Sequence, residues 1–303
     1  MKRLLANWQT LVGMGIVAGF LAVALAAPLL APPDDPSDPA PYQVVGRKSD
    51  RIPKPPSLRA PLGTETGQID VYYSLVWGTR SALRFGLTVT VCTAAIGIAV
   101  GALGGIAGRR MNDFLMRATD AFLMFPIIAG LWLFNSLLAG PLPEGNITPF
   151  QRLLLVVNPV VIVFVLFSWM SYARLVNANM LRIRESEFVE AARVLGAGQG
   201  RILTRHLLPN ALTPVIVLMA RDVGAFLVLE TAFAFIGLTN VTEWGMLLRL
   251  SRDWVIGAGG NPLRYWWTYL PVSLALILFA LGWNLLGDGL NDAMNPRRPA
   301  RLR

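Results

Sequence analysis

The sequence predicts an all-α integral membrane protein with six transmembrane helices. Of its 303 residues, 54% are apolar and only 15% are charged, whereas soluble domains carry about 45–50% and roughly 25%. The chain also contains long apolar runs, and roughly 20 helical residues are enough to cross about 30 Å of hydrocarbon. Because backbone polar groups in lipid must pair within their own segment, such runs form helices rather than open strands.

Six segments are candidates for the membrane spans. The five that contain no Asp, Glu, Lys or Arg are Leu11–Ala31, Phe85–Gly108, Ala121–Pro143, Leu153–Ala173 and Tyr265–Gly287. The sixth, at about 211–238, is apolar except for Arg221, Asp222 and Glu230.

The first run has one alternative interpretation. Met1-Lys2-Arg3, the apolar stretch and the triplet Ala24-Leu25-Ala26 imitate a secretory signal peptide. A signal h-region of about 7–15 residues is shorter than this run, and five further spans follow it. The sequence therefore favours an uncleaved first helix.

The distribution of Lys and Arg predicts that both termini are cytoplasmic. In that orientation fifteen basic residues lie in cytoplasmic segments and four in the short external ones, which is the bias that short loops of membrane proteins show. Seven more lie in 32–84, but a loop of about fifty residues crosses largely regardless of its charge.

The predicted domain order has four parts. Residues 1–31 form the first transmembrane helix, and 291–303 form a basic cytoplasmic tail. Residues 32–80 form a Pro-rich extracytoplasmic segment that ends in an interfacial helix at Val71–Trp77. Residues 81–290 hold the other five transmembrane helices, with a long cytoplasmic loop at 179–210.

Composition and motifs exclude several classes of function. The net charge of +9 fits either a nucleic-acid binder or a membrane protein with basic loops, and the one-sided distribution of the charge excludes nucleic acid. One cysteine, Cys92, and one histidine, His206, exclude an internal disulfide and a multi-His metal site. The chain has no phosphate-binding loop and no nucleophile–base cluster, so we expect no catalytic residue, metal or cofactor in it.

The loop 179–210 predicts two short helices. Ser186 is a suitable N-cap, and Glu187 and Glu190 place negative charge at the positive end of the helix dipole. The residues expected on one apolar face are Phe188, Val189, Ala192 and Leu195. Gly196 and Gly198 predict a C-cap and a turn, and Pro209 predicts the end of the second helix.

From the residues alone, two interpretations of the first loop helix stay open. The helix rests against its own bundle or the lipid headgroups, or it docks on another protein, since small side chains permit close approach.

These residues resemble the EAA loop of permease subunits of bacterial ATP-binding-cassette importers. The resemblance begins with Glu190-Ala191-Ala192 and Gly196, followed by Ile202, His206 and Leu208-Pro209-Asn210. Further stretches resemble the C-type permease of dipeptide and oligopeptide uptake systems, in the order of that family: Pro61-Leu62-Gly63-Thr64, Met116-Arg117-Ala118-Thr119-Asp120, Pro126, Trp169, Tyr172-Ala173-Arg174, Phe235-Ile236-Gly237-Leu238, Glu243-Trp244-Gly245-Met246-Leu247, Asn284 to Leu290, Asp292-Ala293 and Pro296-Arg297.

The resemblance implies the type I importer permease fold, with 81–290 as the permease core and 179–210 as the coupling loop. The first loop helix would then dock in a cleft on a partner ATPase. The docking residues implied are Ser186, Glu187, Glu190, Ala191, Ala192, Gly196 and Ala197. Those that would anchor the second helix are His206, Pro209 and Asn210.

The resemblance also implies the partners of the chain. They are membrane lipid, a second and different permease subunit, two ATPases and an extracytoplasmic substrate-binding protein. ATP and Mg would be used by the ATPases and not by this chain, which would transport di- or oligopeptides. The same family includes permeases for nickel chelates and other small solutes.

Three charged residues in the fifth span allow two roles. A charge at the centre of a membrane helix costs about 2.5–3.5 kcal/mol on insertion scales, so we expect Arg221 or Asp222 to be buried against protein. They either lock the span to another helix or subunit, or line the translocation path with Glu230. On a regular helix Arg221 and Glu230 lie about 180° apart.

A rival function follows from the same charges. A self-contained secondary transporter or channel would use Arg221, Asp222, Glu230 and Asp120 as an ion or proton relay.

Glycines at 97, 101 and 105 give Gly-x-x-x-Gly spacings in the second span. Such spacings let helices approach closely, so we predict packing of this helix against another helix rather than a ligand site.

Overall fold

The structure, a computed structural model, describes residues 7–33, 52–138, 158–257 and 259–294. Its helices are α1 (Trp8–Leu30), α2 (Val71–Ile106), α3 (Arg109–Leu123), α4 (Ile127–Leu138), α5 (Pro159–Leu166), α6 (Met170–Arg184), α7 (Glu187–Val194), α8 (Gln199–Ile202), α9 (Leu208–Phe235), α10 (Glu243–Val255) and α11 (Trp266–Met294). A π turn at Leu203–Leu207 joins α8 to α9, and two antiparallel strands, β1 (Thr64–Glu65) and β2 (Ile69–Asp70), precede α2.

The all-helical membrane architecture is confirmed. Five helical segments of the described chain are long and apolar enough to cross a membrane, namely Trp8–Leu30, Val71–Ile106, Pro159–Arg184, Gly200–Phe235 and Trp266–Met294. α3 and α4 make a sixth candidate when they are taken together as one span.

The third span is not the single run that we predicted at Ala121–Pro143. α3 ends at Leu123, and α4 starts at Ile127 after a bend of 72°. Pro126 lies in the bend. Proline lacks the N–H of a helix interior, and it disfavours the helical conformation of the residue before it. Residues 139–143 of the predicted run lie outside the described residues.

The predicted interfacial helix at Val71–Trp77 is wrong as a separate element, because these residues are the first turns of α2. The Asp70 carboxylate accepts hydrogen bonds from the backbone N–H groups of Tyr72 and Tyr73, at 2.8 and 3.1 Å. These bonds satisfy donors that a helix start leaves open. The helix then continues without a proline to Ile106.

The fourth span also differs from its predicted bounds. A turn at Phe167–Trp169 separates α5 from α6, and α6 continues past the predicted end to Arg184. The coupling loop therefore starts after Arg184 rather than at 179. Residues 153–157 of the predicted run lie outside the described residues.

Two compact units make up the structure. The first contains Asn7, Thr88–Arg221 and the chain from Gly287, and the second contains Trp8–Leu87 and Asp222–Leu286. The core of the first unit consists of Ala94, Tyr172, Val176, Met180, Val189, Ile202, Leu207, Ala211 and Val215. The core of the second consists of Ala24, Ile69, Ala82, Leu83, Val223, Leu227, Trp244, Leu247, Val272 and Phe279.

The Gly-x-x-x-Gly spacing of α2 packs against α6, as predicted. A Cβ atom at Gly97 would lie 2.5 Å from the carbonyl oxygen of Trp169. One at Gly101 would lie 2.5 Å from the carbonyl oxygen of Ala173. Real Cβ contacts do not come this close, so only glycine permits the observed separation of the two helices.

Glu230 is fully buried near the end of α9, where backbone and side-chain donors surround its carboxylate. The Thr242 hydroxyl donates to Oε2 at 2.7 Å, and the Thr239 hydroxyl and the Val241 N–H donate to Oε1 at 3.2 and 3.4 Å. Gly245 leaves room for the carboxylate, because a Cβ there would lie 3.0 Å from Oε2. Glu230 thus holds the segment between α9 and α10 onto the end of α9, as a structural lock.

Glu65, in the β1–β2 hairpin, is also buried, but it has fewer hydrogen-bond partners than Glu230. Its Oε1 accepts a hydrogen bond from the Thr66 hydroxyl at 3.3 Å, whereas its Oε2 has no hydrogen-bond partner among the described residues. Burial therefore raises the pKa of Glu65 to about 7, and the hydrogen bonds from Thr66 oppose this only in part.

Replacement of Glu230 by Gln tests the lock. The amide keeps one acceptor oxygen and turns the other into a donor that faces donors, so we expect a free energy of unfolding lower by about 1–3 kcal/mol. The measurement is the melting temperature of the purified protein in detergent. Asp253→Asn makes the same change at a side chain that is 77% exposed and should leave the melting temperature unchanged. An unaltered melting temperature for Glu230→Gln would contradict the lock.

Stability should depend on the protonation of Glu65. Because the pKa of this carboxyl is higher in the folded chain, its contribution is complete below the ordinary value of 4.5 and is lost as the pH rises through about 7. The loss is on the order of 3 kcal/mol. We expect Glu65→Gln to flatten the decline of the melting temperature between pH 4.5 and 8, and parallel curves for the two proteins would contradict this assignment.

Candidate functional site

The site predicted from the loop 179–210 is built on the two-turn helix α7. Ser186 lies at its N-cap position in an extended conformation, as predicted, but its side chain does not cap the helix. The hydroxyl instead donates to the carbonyl of Ile183 at 2.5 Å. Glu187 and Glu190 occupy the first turn, where negative charge stabilises the positive end of the helix dipole.

Val189 fixes α7 to the rest of the first unit. Its side chain is fully buried among core residues that include Met180, Ile202 and Leu207. The predicted apolar face is narrower than expected, because only Val189 is buried and Ala192 is half-buried. Phe188 is 49% exposed and lies with its ring centroid 6.2 Å from that of His206.

Gly196 ends α7 in the way that the sequence predicts. Its φ of +82° lies in the left-handed region, where glycine has no steric penalty. The N–H of Gly196 donates to the carbonyl of Arg193 at 2.9 Å, and the N–H of Ala197 donates to that of Ala192 at 3.0 Å. These two bonds form a Schellman motif, which pairs carbonyls that a helix end leaves open.

The end of α7 presents an apolar tip to the surroundings. Val194 and Leu195 are each 87% exposed. We predicted Leu195 on the buried face, but it is the C-cap residue of α7. The turn at Gly196 sets the direction of the chain after it. Glu190 and Ala191 are exposed beside this tip, and Ala197 is half-buried.

The second half of the loop is helical from Gln199 onward. The predicted end at Pro209 is wrong, because the helix passes through Pro209 into α9. The π turn before it accounts for this: the N–H of Leu208 bonds to the carbonyl of Leu203, five residues back. This wider turn accommodates a residue that cannot make the regular i→i−4 bond.

Two of the predicted anchor residues are joined across this turn. The side-chain amide of Asn210 donates to the backbone carbonyl of His206 at 2.7 Å. His206 is half-buried, whereas Pro209 and Asn210 are exposed. Leu207, for which no motif in the sequence predicts a role, adds an apolar contact to this anchor, because it packs in the core around Val189.

Arg221 forms an ion pair with Asp288 of α11, as the first of the two predicted alternatives requires. Within this chain alone neither residue is fully buried, because the side chain of Arg221 is 46% exposed and Asp222 is half-buried, and the expected burial against protein stays a prediction. Gly287 makes room for the arginine, since a Cβ at this position would lie 2.8 Å from Arg221 Cγ. A contact between residues 67 positions apart has no local signal in the sequence.

Three of the four proposed relay residues have partners outside the relay. Asp120 lies 3.5 Å from Arg174 of α6, with both side chains more than half exposed. Arg221 pairs with Asp288, and Glu230 is surrounded by its threonines. Within the described residues, no group of three or more His, Cys, Asp or Glu could hold a metal ion.

Known proteins of similar sequence align with most of this chain. The dipeptide transport system permease protein DppC of Alkalihalophilus pseudofirmus is 29% identical over 299 residues, which are 98% of this chain and 88% of the relative. A putative peptide transport system permease protein of Brucella suis biovar 1 is 32% identical over 247 residues, which are 80% of this chain and 76% of the relative.

A solved structure shares the fold. A chain of the MetNI methionine ABC transporter, in an inward-facing conformation, aligns with a TM-score of 0.53 and 19% identity, over 71% of this chain and 94% of that one. The likeness confirms the predicted importer permease fold.

A family model locates the chain in the inner membrane. The model for the binding-protein-dependent transport system inner membrane component matches residues 97–298, which include α7, the π turn and α9. Members of this family are permease components that work with partner ATPases and a substrate-binding protein, and ATP hydrolysis belongs to those ATPases. The chain belongs to the family of binding-protein-dependent transport system inner membrane components.

Proposed function

We propose that this chain is the permease subunit of an ATP-driven peptide importer and forms half of its translocation path beside a second, different permease. Relatives named for dipeptide or peptide transport, at 29–32% identity, support the cargo class. The observation that carries the proposal is the exposed apolar tip of α7, formed by Val194 and Leu195, on a helix that Val189 packs into the core.

The tip is suited to a protein surface. Fully burying a Val or Leu side chain is worth about 1.5–3 kcal/mol, so Val194 and Leu195 favour insertion into a cleft. Ala191 permits close approach, and the exposed carboxylate of Glu190 provides a charged contact at the rim. We assign this cleft to a partner ATPase, which binds ATP and Mg, while this chain binds neither.

The core residues that hold α7 transmit a displacement of its tip to the membrane helix α9. Val189 ties α7 to Ile202 and Leu207 within one core, and the chain continues as helix through the π turn into α9. A packed helical element of this kind moves as a unit when its partner shifts. In this mechanism, closure of two ATPases on ATP would tilt α9 and so alternate the access of the path.

The topology belongs to the same proposal. The termini and the coupling loop are cytoplasmic, the Pro-rich segment of 32–80 is extracytoplasmic, and the permease core extends over 81–290. Against the secondary-transporter alternative, Asp120, Arg221 and Glu230 are held by separate partners among the described residues.

Isolation from the native membrane tests the proposal as a whole. We expect the chain to copurify with a second permease and two ATPases, and the assembly, with its binding protein, to import trialanine into liposomes only in the presence of external ATP at the ATPase side. Uptake that follows an ion gradient without ATPase subunits would overturn it, and import of a nickel chelate but not of trialanine would change the cargo class.

Replacement of Leu195 by Asp tests the docking surface. The added charge lies on the exposed tip, so the fold should persist, while copurified ATPase should fall at least tenfold because a carboxylate cannot be buried unpaired. Gly200→Asp adds the same charge at an exposed position of α8, where a Cβ would meet nothing within 4 Å, and should retain the ATPase. Equal retention by both variants would contradict docking through α7.

A further inference from the structure

A second site lies in the unit that does not contain the coupling loop. A groove of about 560 Å³ lies against α10, and its lining includes Thr66, Gly237, Arg249, Arg252 and Trp254. Sites for small molecules have volumes of about 300–1,000 Å³. In the topology proposed above, the segment after α9 that contains α10 is extracytoplasmic.

Two arginines dominate the charge of this groove. Arg249 and Arg252 are three residues apart on α10, so they lie on the same face of the helix. Arg249 is exposed, with no ion-pair partner among the described residues. Arg252 pairs with the neighbouring Asp253 through Nε at 3.4 Å, and Asp253, which also lines the groove, is 77% exposed, so the two arginines exceed the one carboxylate there. The pair therefore retains its capacity to bind an anion.

Hydrogen bonds fix three other lining residues of the groove. The indole N–H of Trp254 donates to the Thr66 hydroxyl oxygen at 2.8 Å, and that hydroxyl donates to the buried Glu65 at 3.3 Å. Gly237, with a φ of +85°, ends α9 through a bond from the N–H of Leu238 to the carbonyl of Phe233, at 2.9 Å. These bonds hold Trp254 and Thr66 together and fix the backbone at Gly237, so this part of the lining has a defined geometry.

We propose that this groove binds the C-terminal carboxylate of the imported peptide through Arg249 and Arg252, as an entry site on the extracytoplasmic side. Guanidinium groups bind planar oxyanions through paired, charge-assisted hydrogen bonds. Trp254 offers an apolar surface to the adjoining residue of the peptide. The assignment rests on the peptide importer proposed above. A lipid phosphate has similar chemistry, and the experiment separates the two sources.

Saturation-transfer difference NMR on the transporter complex in phosphatidylcholine nanodiscs, without the binding protein, tests the site with trialanine and trialanine amide as probes. We expect the signal of trialanine to fall at least fivefold in the Arg249→Gln/Arg252→Gln variant. In the native complex the amide should give a signal as weak as that of trialanine on the variant. Arg252→Lys should keep part of the signal, since it keeps the charge without the planar fork.

Arg264→Gln is the matched control, because Arg264 is an exposed arginine outside the groove that lies 5.5 Å from the ring centroid of Tyr265. It should leave the signal unchanged. Equal signals from the acid and the amide, or from the native and doubly substituted complexes, would overturn the site. Loss of the trialanine signal on adding phosphatidylglycerol to the nanodiscs would assign the groove to lipid phosphate instead.

The import assay with the complete transporter separates this inference from the proposed function. Import of trialanine with no effect of the arginines on binding would overturn the entry site alone. Arginine-dependent binding without import would leave a carboxylate site but overturn the peptide importer and, with it, the role in entry.

Discussion

The requirement that every backbone N–H and C=O in a bilayer find a partner within the protein shapes this molecule. It makes the spans helical and turns each interruption of a helix into a position that needs a special solution. At the start of α2 the solution is the Asp70 carboxylate. At the end of α9 it is a glycine in the left-handed conformation, Gly237, and the same type of residue ends α7 in the loop, at Gly196.

The two buried carboxylates show how different the consequences of burial are. Glu230 receives donors on both oxygens and joins two consecutive helices. Glu65 is equally inaccessible to solvent but leaves one oxygen without a partner among the described residues. A fully hydrogen-bonded group specifies a conformation, whereas an incompletely paired one ties the conformation to proton concentration.

Much of the fold could be predicted from the sequence, because apolar runs and charge-free lengths report directly on the bilayer. The turn at Gly196 could also be predicted from the sequence, since few residues other than glycine adopt its backbone angles. Three features could not be predicted: the break at Pro126, the length of α2 and the passage of the helix through Pro209. They depend on how helix ends are capped and on the width of individual turns. The partner of Arg221 lies far away in sequence. The docking and anchor roles carried over from the family stay predictions.

The π turn before α9 and the proline that follows it depend on each other. A π turn contains more residues than an α turn, and each residue of an α-helix advances by about 100°. Removal of one residue from Leu203–Leu207 would restore the regular i→i−4 pattern, and the ring of Pro209 would then lie against the turn before it. A deletion in this short segment should therefore kink or break the helix at Pro209 rather than merely shorten it.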